Sequence, residues 1–148
     1  MRGKKVLLSV TGIVQDVGME ESSDEMRLVT TGELSGNAEE DSWRLRYTET
    51  QPDTAATDKV TFTMQNGVVT MLREGEINTS MIFSQGSRYE GSYNTPYGAL
   101  EMGVFPTQVK YSVDDARGEV VLKYQLDIQG QYASMREMRI RFAPSRRA

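Results

Sequence analysis

The chain has 148 residues, the size of one domain, which we read as spanning 1–148. It contains no cysteine and no histidine, which excludes disulfides, thiolate metal sites, histidine-based triads and histidine-ligated zinc or haem. The net charge of −4 argues against a nucleic-acid partner, and residues 1–75 carry the excess, with 8 basic against 13 acidic side chains.

The first segment, "MRGKKVLLSVTGIV", has the basic-then-apolar order of a signal peptide. Its apolar run is short and broken by Ser9, Thr11 and Gly12, with no small-residue cleavage site after it, so it reads as a strand of a cytoplasmic protein. No stretch approaches the roughly 18 apolar residues of a membrane-spanning helix, and no membrane partner is expected.

Almost every later segment alternates. "SWRLRYTE" sets Trp43, Leu45 and Tyr47 against Arg44, Arg46 and Thr48, and "DKVTFTMQNGVVTMLRE" does the same with Val60, Phe62 and Met64 before turning at Asn66-Gly67. That dipeptide between β-rich runs predicts a type I′ hairpin. In "EVVLKYQLDIQG", Val120, Leu122, Tyr124, Leu126 and Ile128 oppose Lys123, Gln125, Asp127 and Gln129. The last strand sets Met138, Ile140 and Phe142 against Glu137, Arg139 and Arg141. Period two with one apolar face means antiparallel strands wetted on one side. The alternation predicts strands over 4–15, 26–34, 42–49, 58–65, 68–74, 79–85, 87–93, 99–105, 108–114, 119–129 and 131–143, some of which merge to leave nine or ten. Hairpin-length connections make this an all-β, single antiparallel up-and-down meander, and closing it into a barrel removes its edges, with an open sandwich as the alternative.

"YNTPYGALEMGVFPTQVKYSV" is the most distinctive stretch. Thr95-Pro96-Tyr97-Gly98 fits a type I turn. Beyond it the apolar positions are even (Leu100, Met102, Val104) and then odd (Val109, Tyr111, Val113), so an inserted residue is expected within Gly103–Pro106. A bulge there curves a sheet towards closure.

The ordered blocks "VLLSVTG", "YTET", "MLREG", "MIFSQG" and "YNTPYGALEMGV" also make the chain resemble the YwiB-like family of small bacterial proteins, over roughly residues 4 to 143. The resemblance implies a calycin or lipocalin-like β-barrel. It implies no activity and no catalytic residues.

A barrel of about eight strands is wide enough to be filled by its own side chains or to hold one small ligand. The expected inward set is Val6, Leu8, Val10, Trp43, Leu45, Tyr47, Phe62, Met64, Leu100, Met102, Leu122, Tyr124 and Ile140. Two charged groups follow the apolar parity: Glu49 continues Trp43, Leu45 and Tyr47, and Arg73 continues Val69 and Met71. Pointing inward, they would pair or Arg73 would receive a ligand carboxylate; otherwise they sit at the rim. The candidate ligand-binding residues are therefore Trp43, Tyr47, Glu49, Phe62, Met64, Arg73, Tyr97, Met102 and Tyr124, for an apolar or amphipathic small molecule. The alternative is a packed barrel acting as a structural or interaction module, with a homodimer through the Arg139 and Arg141 face. Arg136, Arg139, Arg141, Arg146 and Arg147 read as a solvated basic face and tail. No metal or other cofactor is expected, and no catalytic motif supports an enzyme.

Overall fold

The computed structural model describes residues 3–16, 23–50, 56–75, 78–95 and 97–145. Ten strands follow one another: β1 (Lys4–Asp16), β2 (Ser23–Asn37), β3 (Ser42–Thr50), β4 (Thr57–Gln65), β5 (Val68–Glu74), β6 (Thr79–Phe83), β7 (Tyr89–Thr95), β8 (Gly98–Asp114), β9 (Arg117–Ile128) and β10 (Gln131–Pro144). No helix occurs among the described residues, so none is long and apolar enough to cross a membrane. The two expected strands at 99–105 and 108–114 are one long strand, β8.

Strands adjacent in sequence pair antiparallel except β6 and β7, and β1 pairs β10 from Val6↔Pro144 to Asp16↔Ser134, bringing the two ends of the chain together. The result is an antiparallel up-and-down barrel with edges at β6 and β7. These edges are consecutive in the chain, and a single bridge, Ser84↔Ser87, links the residues between them. The neighbouring seam is sealed by separate bonds to β8. Gly86 N donates to the Pro106 carbonyl at 3.0 Å, and Val109 N donates to Gln85 Oε1 at 3.3 Å. Gly67 N donates to the Tyr111 hydroxyl at 2.9 Å, which in turn donates to Asp41 Oδ2 at 2.7 Å.

The phase change in β8 is real, but it lies one residue beyond its expected place. The register with β9 shifts between Pro106 and Gln108, so the inserted residue is Thr107, whose hydroxyl bonds the Lys123 carbonyl at 3.2 Å. Pro106 has no N–H to offer a ladder, and its carbonyl serves the seam to Gly86. Gly103 has a different role. On the outer face Arg88 reaches across it to Asp127, with Nη1–Oδ2 at 2.7 Å and Nη2–Oδ1 at 2.8 Å. A Cβ at 103 would collide with the Arg88 guanidinium and the Asp127 carboxylate.

The Asn66-Gly67 turn has φ of 52° and 81°, the positive pair that a type I′ hairpin requires. Asp115-Ala116, with φ of 50° and 64°, makes the same turn without glycine, and Ala116 is buried there. The Pro96 residue of the expected type I turn lies outside the described residues, although Thr95↔Gly98 pairing closes that hairpin. Inside, Val6, Leu8, Leu34, Leu45, Phe62, Met64, Phe83, Leu122 and Ile140 are fully buried, each such burial stabilising by about 1.5–3 kcal/mol. Of the expected inward set, Val10 and Leu100 are half-buried and the others buried.

The Arg88 fork makes part of the stability depend on pH. Its hydrogen bonds hold the Asp127 carboxyl below the ordinary value of 3.8. A depressed folded pKa contributes stability above that ordinary value, lost as pH falls through the folded one. Gly103→Ala is expected to displace the fork, so that an NMR titration finds Asp127 moved up towards 3.8 and its share of the acid loss gone. An unmoved Asp127 would show that the pair does not depend on the gap over Gly103.

A polar cluster and an open wall inside the barrel

Parity along each strand carries chemistry to the interior. The inward side of β3 runs Trp43, Leu45, Tyr47 and Glu49; that of β4 runs Met64, Phe62, Val60 and Asp58; that of β5 runs Val69, Met71 and Arg73. The register then places Glu49 opposite Asp58 and Val60 opposite Arg73. Arg73 Nη1 meets Glu49 Oε2 at 2.8 Å and Asp58 Oδ2 at 3.3 Å. Burial works against the Arg73 charge, but the bonds to the two carboxylates outweigh it and hold the guanidinium above its ordinary pKa. Glu49 and Arg73 are thus brought together as a pair, and Asp58 joins them.

Above the packed base, Tyr47 lies 6.3 Å from Phe62 between ring centroids, nearly parallel, and Tyr124 lies 4.9 Å from Phe83, tilted. Burial, reinforced by the Glu49 charge, pushes the Tyr47 phenol well above its ordinary value, against the pull of Arg73. Burial also raises Tyr124, opposed by the charge and hydrogen bond of Arg136 and by the charge of Arg73. Arg136 was expected on the solvated basic face; instead it shares parity with Met138 and Ile140 and pairs Tyr124 across the ladder, so it points inward. Its Nε donates to the buried Ser134 hydroxyl at 3.2 Å. Among the described side chains it has no carboxylate partner. Arg139 and Arg141 do lie on the outer face, and Arg141 pairs Glu119 at 2.8 Å; Arg146 and Arg147 lie outside the described residues.

The wall formed by β1 and β2 differs from the others. Register rows place Leu28, Val10 and Ile140 side by side, and Met26, Gly12 and Met138 in the next row towards the β1–β2 connection. Val10, Leu28 and Met138 are half-buried, and Met26 is 69% exposed although it shares the inward parity. A Cβ built on Gly12 meets no atom within 4 Å. At Gly32, three two-residue steps further down and packed, a Cβ would strike the Arg46 carbonyl and Leu8.

The candidate residues therefore separate by depth. Trp43, Phe62 and Met64 belong to the solid base, and Met102 is buried under its own row. Tyr47, Glu49, Arg73 and Tyr124 come together around the ion cluster. Tyr97 is 100% exposed and lines no part of the interior. Asp58, Ser134 and Arg136 were missed; their signal was the parity they share with Val60 and with Ile140. Outside the barrel, a groove of about 720 Å³ crosses β2 to β5, lined by Arg44, Arg46, Lys59, Thr61, Thr63 and Thr70 among others. No group of three or more acidic side chains able to hold a metal occurs among the described residues.

The model of a protein family described as a domain of unknown function, DUF1934, matches residues 9–140. Among solved structures, the ywiB protein from Bacillus subtilis superposes with a TM-score of 0.81 at 20% identity, over 97% of this chain and 93% of that one. At that identity the likeness is one of fold. No curated protein matches the chain.

The buried phenols should be visible in alkali. Because the folded pKa of Tyr47 is raised above the ordinary 10.0, its contribution to stability is complete below pH 10 and lost as pH rises beyond it. In a spectrophotometric titration, Tyr47 and Tyr124 are expected to ionise only as the barrel unfolds. Tyr47→Phe should flatten the alkaline loss. Reversible ionisation of all phenols near pH 10 in the folded protein would contradict this placement.

Proposed function

The chain belongs to the DUF1934 family, and within that barrel we propose that it binds a small amphipathic molecule against the open inner wall of β1 and β2. The observation that carries this reading is the empty space over Gly12, in a row whose neighbours Met26 and Met138 offer flexible apolar surface. Arg136, one pair further along β10, supplies a half-buried cation whose described partners are a hydroxyl and a phenol. An apolar portion would lie along the methionines and an anionic head on Arg136, where a charge-assisted bond is favoured by low local dielectric. Arg73 is not needed for the ligand, since two carboxylates already hold it. The base below is filled by the fully buried core, so the ligand occupies the open end and not the whole interior.

A fluorescent long-chain fatty acid serves as the probe, with its uncharged alcohol as control. Gly12→Phe fills the space from the wall and is expected to weaken probe binding at least tenfold, about 1.4 kcal/mol, with the melting temperature retained. Arg136→Met should weaken the acid and leave the alcohol unchanged. A Gly12→Phe protein that binds the probe as the parent does would place the binding elsewhere, for instance in the outer groove, and would sink the reading.

A further inference from the structure

β2 is longer than the ladder that covers it. Its pairing with β3 runs from Gly32↔Tyr47 to Asn37↔Ser42, while its pairing with β1 continues to Gln15↔Ser23. Among the described residues, positions 23–31 thus have no paired strand on the β3 side. This edge is uninterrupted by proline or glycine and mixes apolar with charged positions: Met26 is 69% and Val29 68% exposed, with Leu7 of β1 exposed beside them, and Glu25 and Arg27 flank Met26. A strand edge without a paired neighbour is a template for another strand.

We propose that this edge pairs with the same edge of a second copy, antiparallel, about a two-fold axis passing beside Met26. Symmetry and charge select the register. A two-fold pairing sets one residue opposite its own copy. Centring on Arg27, the middle of the free segment, would oppose like charges directly, and centring on Glu25 would do the same. Centring on Met26 instead sets Glu25 opposite the partner's Arg27 twice, and Met26 opposite Met26. Within one chain Arg27 Nε already meets Glu25 Oε1 at 3.2 Å, so the pairing builds a square of alternating charges on the outer face. The join makes one continuous sheet, β10–β1–β2 of one copy running into β2–β1–β10 of the other.

The test is a charge swap read by sedimentation velocity over a concentration series reaching the order of 1 mM. The parent protein is expected to dimerise reversibly. Arg27→Glu, which sets Glu opposite Glu, should weaken the dimer at least tenfold, and the double variant Glu25→Arg/Arg27→Glu should restore it. Both positions are exposed, so equal melting temperatures for the dilute variants check that the fold is unchanged. A parent that stays monomeric throughout overturns the proposal. So does a dimer indifferent to Arg27→Glu, or one that the double swap fails to restore, because each places association on another face or register.

Discussion

The ladder between β1 and β10 is the constraint on which the rest of the molecule depends. A meander of ten strands has two raw edges and an apolar face far too large to leave wet, and pairing its first strand with its last curls that face inward. Ser145 N bonding the Lys5 carbonyl at 3.0 Å extends the pairing past the strand ends. Once the ends are joined, the remaining opening falls at β6 and β7, which are neighbours in the chain and short enough to be closed by turn and side-chain bonds. The Thr107 bulge belongs to the same solution, since it turns the Pro106 carbonyl and the Val109 amide of β8 towards the loop between those edges. Closure by ladder on one side and by single bonds on the other leaves the β6–β8 seam the weaker of the two.

Much of this was legible in the residues because strand parity is a local property. Trp43, Leu45 and Tyr47 must face together whatever else happens, and they face the core. The same parity carries Glu49 and Arg73 inward, and their pairing needed only two intervening registers. Arg136 was misplaced because its charge was grouped with Arg139 and Arg141 by proximity in sequence, when its parity matched Met138 and Ile140. The bulge fell at Thr107 and not within Gly103–Pro106 because a phase change locates an insertion only to a window, and Gly103 is there to let Arg88 lie flat across β8. The Asp115-Ala116 turn carries no glycine signal at all, its positive φ values being imposed by the strands it joins.

Depth along the barrel was not legible. Whether an inward residue lies in the packed base or at the open end depends on strand stagger, which accumulates over ladders between residues distant in sequence. Phe62 and Glu49 are both inward, yet one is sealed against Tyr47 and the other touches the ion cluster at the edge of solvent. The free edge of β2 is likewise a difference between two ladders, one ending at Gly32 and the other continuing to Ser23. No window of sequence contains such a difference.

The two inward arginines differ in what surrounds them among the described side chains. Arg73 is met by two carboxylates within 3.3 Å, an arrangement that offsets the cost of burying its charge and leaves it little to offer a ligand. Among the described side chains Arg136 meets Ser134 and Tyr124, neutral oxygens that orient a guanidinium without cancelling its charge. On the function proposed above, the anionic head of a ligand would meet this guanidinium beside the unfilled Gly12. The open wall bears on the same point: filling the space over Gly12 with a larger side chain would add apolar burial to a wall that is only half covered. That stabilisation is forgone in the row next to the one where Arg136 points inward, as the proposed site for a small amphipathic molecule would require.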